Sequence, residues 1–271
     1  MKYRHILLLS IFPCLLQSQA LQKFELFPRQ PIAPLFTADA TAHRIGVTSI
    51  NLSRRVSVSL GNLLPVANVT VYGQPLGIAV GGSIHAELEP DEMASLVTTD
   101  FFVDYLLVDI PFTPDWILRM GVGHSSHHLS DNWYELLQKT SSLTYSKDYS
   151  QLFVVRKIPA YNLFLYGGVT YAYAFIVNTE ISPPWLLQCG GEKDLASYFD
   201  DMLSLYCAID IKLRQEASFG ATQSYQLGLQ FKNNNERNLR LAYQFRSGLD
   251  ERGQFYNERR SFHGVSLYVE L

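Results

Sequence analysis

A polar run in the middle of the chain, Gly123 to Asn132, holds side chains that could perform acyl chemistry. His124 and Ser126 stand two positions apart at the end of a predicted strand. Residues two apart on a strand project from the same face, about 6.5–7 Å apart at the backbone. An imidazole and a hydroxyl placed in this way can come within hydrogen-bond reach, which is the requirement for a base-activated serine nucleophile.

The residues before this run indicate which face the pair shares. Apolar side chains occupy every second position of the strand, namely Trp116, Leu118, Met120 and Val122. Continuing that parity places His124 and Ser126 on the apolar face. In a membrane barrel the apolar face contacts lipid, so the sequence predicts a lipid-facing His–Ser pair.

Two other uses of the same residues remain open. The histidines and Asp131 could hydrogen-bond an outer loop to its neighbours, which would be a structural role. The side chains that could instead bind a divalent cation are His124, His127, His128 and Asp131. Their spacing matches no strong zinc motif, so no metal site is predicted, and His127 and His128 remain the candidate ligands.

The elements that would position this site show strict period-two alternation. In the stretch 203–214, leucine, isoleucine and cysteine residues alternate with Ser204, Tyr206, Ala208, Asp210, Lys212 and Arg214. Full charges on one face of a strand are too costly to bury in a dry sandwich core without partners. A closed antiparallel barrel in a membrane, with lipid outside and a polar lumen inside, suits both faces. We therefore predict an all-β transmembrane barrel whose lumen charges pair with one another.

We predict about twelve strands, an even number as bacterial single-chain barrels prefer. Ten strands is the alternative, because the eighth strand and the first hairpin alternate least. Residues 21–42 are rich in proline and show little alternation, so we expect an irregular periplasmic leader before a barrel over 43–271. The predicted strands are 43–51, 54–63, 75–88, 97–111, 114–126, 143–157, 161–176, 184–191, 203–216, 222–232, 238–247 and 261–271.

The first residues suggest export. Lys2, Arg4 and His5 precede an apolar stretch, and the segment 18–20 ends in a small residue. This pattern is typical of a secretory signal peptide, which we place at residues 1–20. Counting strands back from a periplasmic C-terminus places the long polar stretches after Ser126 and Ile176 on the outer side of the membrane, as in outer-membrane barrels.

Composition agrees with this class of protein. The hydrophobic residues make up 47% of the chain, yet the mean hydropathy is only +0.01, as expected when half of each strand is polar. The 16 Tyr and 16 Phe suit aromatic girdles at the two bilayer interfaces. No basic block suggests a nucleic-acid partner. Cys189 and Cys207 could form a disulfide in an oxidising compartment, but Cys207 lies on the apolar face of its strand, which favours a small hydrophobic role.

Three stretches resemble the domain of unknown function 1207 family of bacterial proteins. They are 34–39, 253–259 and the central run 119–131, in which a His-x-Ser-x-His-Leu-x-Asp pattern is met by His124, Ser126, His128, Leu129 and Asp131. Asn132 stands where an acidic residue is common in that family. The resemblance implies an outer-membrane barrel and brings no established activity.

The His-x-Ser pattern is also similar to that of outer-membrane phospholipase A and of the lipid A deacylases. This similarity implies that Ser126 attacks an acyl ester carbonyl while His124 accepts its proton. A third group would orient the imidazole; Asp131 is the first candidate, with Asn132, Glu135 and Gln138 as alternatives. Calcium is implied only by analogy with those enzymes, and the residues themselves predict no cofactor.

Three classes of function therefore remain open: an acyl hydrolase acting on phospholipid or lipid A, a narrow channel, and a structural barrel without catalytic activity. The expected partners are membrane lipids and lipopolysaccharide, together with the machinery that inserts barrels into the outer membrane. That machinery recognises a final strand such as the one that carries Val265, Leu267, Val269 and Leu271. The expected location is the cell outer membrane.

Overall fold

The computed structural model describes residues 21–89, 96–136, 145–177, 185–232 and 238–270. The signal peptide predicted at residues 1–20 lies outside the described residues. Within the described parts, no helix is long and apolar enough to cross a membrane. The elements are β1 (Leu21–Leu26), β2 (Ile45–Ile50), β3 (Val56–Val71), β4 (Gln74–Leu88), β5 (Leu96–Pro111), β6 (Trp116–Leu129), α1 (Asp131–Leu136), β7 (Tyr145–Ile158), β8 (Leu163–Val177), β9 (Trp185–Tyr198), β10 (Leu203–Arg214), β11 (Gly220–Lys232), β12 (Asn238–Leu249) and β13 (Arg259–Glu270).

Strands β2 to β13 form a closed antiparallel barrel of twelve strands. Each strand pairs with the next along the chain, and β13 closes the barrel by pairing with β2, with Gly264 opposite Ile50 and Val269 opposite Ile45. The predicted fold class and strand number are confirmed, and the ten-strand alternative is wrong. Because all edges are paired by closure, the barrel exposes few unpaired backbone groups.

The alternation seen in the sequence separates two faces of the wall. Along β10, Tyr206 and Asp210 are buried in the lumen, with 0% and 2% exposure. On β11 and β12, Leu227 and Leu241 face outward, with 52% and 44% exposure. An apolar outer surface around a polar interior is the arrangement of membrane barrels.

The two ends of the barrel differ in the length of their connections. One end, here called the turn end, holds the short connections 72–73, 112–115, 159–162 and 199–202. The tightest of these is Tyr72–Gly73, where both residues have positive φ (50° and 79°), as two-residue hairpins of this kind require. The other end, the loop end, holds the longer connections that follow β6, β8 and β12.

The segment predicted as an irregular leader, residues 21–42, begins with a strand. Leu21–Leu26 form strand β1, which pairs with the end of β3, with Leu26 opposite Ala67. The chain then passes inside the barrel, where Ala33 is 0% exposed and Phe36 is 8% exposed. A twelve-stranded barrel lies between the sizes that side chains fill and those that leave an aqueous channel. Here a segment of the chain occupies the lumen space that the side chains of the wall leave open.

The charged side chains of the lumen form ion pairs, some with one another and some with the chain segment inside the barrel. Arg240 forms ion pairs with Glu192 (2.8 Å) and Glu270 (2.9 Å), both on the wall. Lys212 instead pairs with Asp39 of the internal segment at 2.6 Å. Buried charges of this kind are tolerated only when they are paired and hydrogen-bonded.

Candidate functional site

Strand β6 carries the predicted site residues on two opposite faces. Ser125 and His127 face the lumen, with 1% and 5% exposure. His124 and Ser126 are half-buried and His128 is exposed, all on the outer face. The parity of the sequence therefore assigns the His124–Ser126 pair to the correct face of the wall.

Strand pairing gives His124 a carboxylate partner that the sequence did not suggest. His124 on β6 lies opposite Asp148 on β7. The distance from Nδ1 of His124 to Oδ1 of Asp148 is 2.7 Å, and the two side chains are 30% and 40% exposed. A carboxylate accepts hydrogen bonds only, so Nδ1 carries the proton. Nε2 is then the ring nitrogen that remains to accept a proton from a nucleophile.

Ser126 lies on the same face as His124, next along the strand. It is opposite Ser146 of β7 and Phe101 of β5. Among the described residues, no hydrogen bond joins Ser126 to His124, so their two-residue spacing alone brings them close. Hydrogen bonds between catalytic groups are often long in the absence of substrate.

The carboxylate that hydrogen-bonds His124 is thus Asp148, which is not among the candidates named from the sequence. Asp131 and Glu135 lie in α1 and are exposed. No hydrogen bond or ion pair joins either of them to His124 in the described part of the chain. The side chain of Asn132 and the whole of Gln138 lie outside the described residues. Asp148 reaches His124 only through the register between β6 and β7, which the sequence of β6 does not specify.

His127 has a structural role on the lumen side. Its Nδ1 lies 2.6 Å from Oδ1 of Asp100, and both side chains are about fully buried, at 4% and 5% exposure. The side-chain amide of Gln254 donates to the carbonyl of His127 at 2.7 Å. A Cβ added at Gly253 would lie 2.2 Å from the imidazole ring, so only glycine allows the connection 250–258 to pack this closely. His127 and Asp100 therefore hold this connection at the loop end.

The four residues considered as metal ligands do not converge. His127 points into the lumen and is bonded to Asp100, whereas His124 and His128 point outward, where His128 meets the ring of Phe101 edge-on at 5.7 Å. Within the described ranges, no group of three or more His, Cys, Asp or Glu side chains could hold an ion.

The two cysteines of the wall are free thiols on neighbouring strands. Cys189 of β9 lies opposite Ile211, and Cys207 of β10 lies opposite Lys193. They are thus out of register with each other, and the interpretation of Cys207 as a small hydrophobic residue is consistent with its position.

Charged residues also fasten the connection 250–258 at the loop end. Nε of Arg252 donates to Oδ1 of Asp250 at 3.0 Å, and Arg252 and Arg260 both pair with Glu87 of β4. Burial alone would raise the pKa of Asp250, but the hydrogen bond and positive charge of Arg252 lower it below the usual value. Conversely, burial alone would lower the pKa of Arg252, but the same bond to Asp250 raises it.

These observations define the class of protein: a closed twelve-stranded antiparallel barrel that resembles outer-membrane barrels and presents serine, histidine and aspartate side chains on its outer surface. The chain belongs to the family described as "protein of unknown function (DUF1207)", whose model matches residues 13–270. This confirms the family resemblance seen in the sequence.

The chain is similar in fold to solved barrel structures to different degrees. An active-site mutant of outer membrane phospholipase A from Escherichia coli at pH 6.1 has a TM-score of 0.51 and 16% identity, over 89% of this chain and 95% of that one. A second structure of the same enzyme has a TM-score of 0.49 and 15% identity, over 84% and 91% of the two chains. OccD3 (OpdP) of Pseudomonas aeruginosa has a TM-score of 0.33 and 12% identity, over 83% and 67%. No curated protein matches the chain. At these identities the similarity shows the fold alone.

Proposed function

We propose that this protein is an outer-membrane barrel that hydrolyses acyl esters of membrane lipids at its outer surface. The observation that carries the proposal is the bond between His124 and Asp148 on the same outward face as Ser126. An oriented imidazole beside a hydroxyl is the arrangement by which serine hydrolases activate their nucleophile.

The chemistry follows from the roles that the three side chains can take. The hydroxyl oxygen of Ser126 attacks the ester carbonyl, and Nε2 of His124 accepts the hydroxyl proton. Asp148 stabilises the imidazolium that forms and keeps the ring in the required orientation. His124 then returns the proton to the departing alcohol, leaving an acyl-serine. Water, deprotonated by the same imidazole, hydrolyses this intermediate and releases a fatty acid.

The surroundings of the pair suit a lipid substrate. The next outward-facing residue of β6 before His124 is Val122, which is 36% exposed, and Tyr105 and Leu106 of β5 are 54% and 42% exposed beside it. Acyl chains would contact this apolar surface. His124 and Ser126 lie near the end of β6, close to the loop end. Lipid ester groups occupy the corresponding depth, between headgroups and hydrocarbon.

Position and partners follow from the same proposal. A barrel of this kind works in the outer membrane, with the loop end outward, and its partners are phospholipids and lipopolysaccharide in the surrounding leaflet. Its insertion would use the general machinery for outer-membrane barrels. A permanently open channel is less well supported, because residues 32–40 run through the lumen and Asp39 is bonded to the wall.

The direct test is fatty-acid release by the refolded protein in detergent, from phospholipid and from lipopolysaccharide, with and without added calcium. Ser126→Ala removes the nucleophile. Ser125→Ala is the matched control, because it removes the same hydroxyl from the lumen face of the same strand. Both variants should show the heat-modifiable mobility of the parent.

We expect release by the parent and by Ser125→Ala, and a loss of roughly 10³-fold or more with Ser126→Ala. Release that survives in Ser126→Ala would assign the activity to another residue. An absence of release from both lipids, with calcium and without it, would contradict the proposed hydrolase.

A further inference from the structure

Residues 27–44, here called the plug segment, pass through the barrel lumen and are held there by side chains of the wall. Oδ2 of Asp109 accepts a hydrogen bond from the backbone N–H of Ala33 at 2.8 Å. Arg119 donates to the carbonyl of Ala33 at 2.9 Å and is itself paired with Asp109 at 2.7 Å. Asp109 on β5 and Arg119 on β6 therefore hold the backbone of the plug segment by hydrogen bonds from one side of the lumen.

An ion pair holds the plug segment from the other side. Nζ of Lys212 on β10 lies 2.6 Å from Oδ1 of Asp39, and Gln188 on β9 donates to the second oxygen of Asp39 at 2.9 Å. Lys212 also lies 3.5 Å from Glu251, in the connection between β12 and β13. The Asp39 side chain is therefore bonded to two wall side chains, as the His43 side chain is to Ser83 and Asp104.

The plug segment also packs apolar side chains against the wall: Leu35, Phe36 and Ala38 each contact a separate apolar cluster of wall residues. Phe36 stacks on the ring of Tyr166, with 3.7 Å between the ring centres. The other buried apolar side chains of the segment are small: Ala33, Ala38, Ala40 and Ala42. Alanine buries little apolar area, so Phe36 is the largest buried apolar group that release of the segment would expose, and the polar contacts of the segment can be exchanged for contact with water.

Empty space lies on both sides of the plug segment. A cavity of about 170 Å³ reaches towards the loop end, where Arg214 and Gly253 line it. A second cavity of about 190 Å³ reaches towards the turn end, where Asn238 and Glu270 line it. Leu35 and His43 line both cavities, so the plug segment is the partition between them.

The wall itself is lined by ionisable side chains over its whole height. Nearly fully buried acidic and basic side chains occur together along the lumen, among them Asp104, Asp109, Arg119, Asp210, Arg214 and Arg240. Without the plug segment, several of these groups would lose partners and would have to be solvated, because unpaired buried charges are very costly. A lumen vacated by the plug would therefore fill with water.

We propose that the barrel wall is a pore for inorganic ions and small polar solutes and that the plug segment closes it. The Asp39–Lys212 ion pair, here called the latch, holds the plug segment in the closed position. This function is separate from acyl hydrolysis, since it uses the lumen face of the wall. Asp39→Arg would replace the closest anion of Lys212 with a second cation, and Glu251 at 3.5 Å would then face two positive charges. Reversing the charge at position 39 therefore expels the segment from the lumen.

The test is the conductance of the refolded protein in planar bilayers in potassium chloride. Asp39→Arg places a second cation against Lys212. Arg29→Gln, at an exposed position of the plug segment, is the control. Heat-modifiable mobility checks that each variant remains a folded barrel. A second measurement uses Thr37→Cys, at a position that is 2% exposed, in a background with Cys189→Ala and Cys207→Ala. Labelling of that cysteine by a membrane-impermeant maleimide reports whether the segment has left the lumen.

We expect the parent and Arg29→Gln to be closed for most of the recording, and Asp39→Arg to be open for at least about tenfold more of it. The cysteine at position 37 should be protected in the parent and labelled in Asp39→Arg. Labelling without conductance in a folded Asp39→Arg variant would overturn the pore. Equal conductance of all three proteins, or protection of the cysteine in Asp39→Arg, would overturn the latch.

Discussion

Asp148 accepts a hydrogen bond from Nδ1 of His124 across the β6–β7 pair, although the two residues are 24 positions apart in the chain. The bond lies on the outward face of the wall, beside Ser126. It supplies the proposed His-x-Ser pair with a carboxylate placed as the group that orients the imidazole in triad chemistry.

Replacing Asp148 with leucine should reduce acyl hydrolysis strongly and leave the barrel folded. The ring of His124 would lose the acceptor that fixes its orientation, and groups of this kind contribute roughly 10²–10⁴-fold to rate. Asp148→Asn should keep part of the activity, since an amide oxygen can also accept from Nδ1. Initial rates of fatty-acid release give both values. Equal rates for the parent and Asp148→Leu would remove Asp148 from the site.

Substituting Gly253 should loosen the loop end. The Cβ of Gly253→Ala would lie 2.2 Å from the ring of His127, and overpacking of this kind costs about 1–3 kcal/mol. We expect faster proteolysis within the connection 250–258. Gly82→Ala is the matched control, because nothing lies within 4 Å of its added Cβ. If both variants resist protease equally, the contact between Gly253 and His127 does not hold the connection.

The ion pair of Asp250 with Arg252 should make the same connection sensitive to acid. The pKa of Asp250 is lowered in the folded state: burial acts to raise it, but the bond and charge of Arg252 outweigh burial. The stabilisation is therefore present above the unfolded pKa of about 3.9 and disappears as the pH falls through the lower folded value. Protease sensitivity of 250–258 should rise below about pH 4. In Asp250→Asn this rise should vanish; a rise of unchanged size would assign the effect to another carboxyl group.

The sequence was sufficient to predict the barrel because alternation reports directly on a wall with two unlike faces. The predicted strand ends were wrong where a strand contains a residue type that is typical of turns. The second predicted strand stops at residue 63, whereas β3 continues to Val71 through Pro65, where the register shifts. The eighth stops at residue 191, whereas β9 continues to Tyr198. Gly190 there is a packing residue, since its Cβ would lie 2.4 Å from the hydroxyl of Tyr166.

The candidate site was only partly predictable for a related reason. Alternation along one strand assigns His124 and Ser126 to a face. Predicting that Asp148 contacts His124 also requires the register between β6 and β7, and the sequence of residues 137–144 between these strands has no periodic pattern that fixes that register. The plug segment was missed because it has no periodicity of its own. Its alanines and Asp39 predict only an irregular leader, because the fold alone brings the lumen side chain of Lys212 to Asp39.

Phe36 should contribute most of the apolar stabilisation of the plug segment. It is 8% exposed and stacks on Tyr166, whereas the other buried apolar residues of the segment are alanines. Phe36→Ala should lower the free energy of unfolding by about 3–5 kcal/mol, the usual cost of deleting a buried phenyl ring. Phe24→Ala makes the same chemical change on β1, where the side chain is 57% exposed, and should cost much less. Urea unfolding of the barrel in lipid vesicles, followed by tryptophan fluorescence, compares the two. Since the wall is closed by its own strand pairing, Phe36→Ala should still form a barrel. Equal midpoints for the two variants would mean that the ring adds nothing to the attachment of the segment.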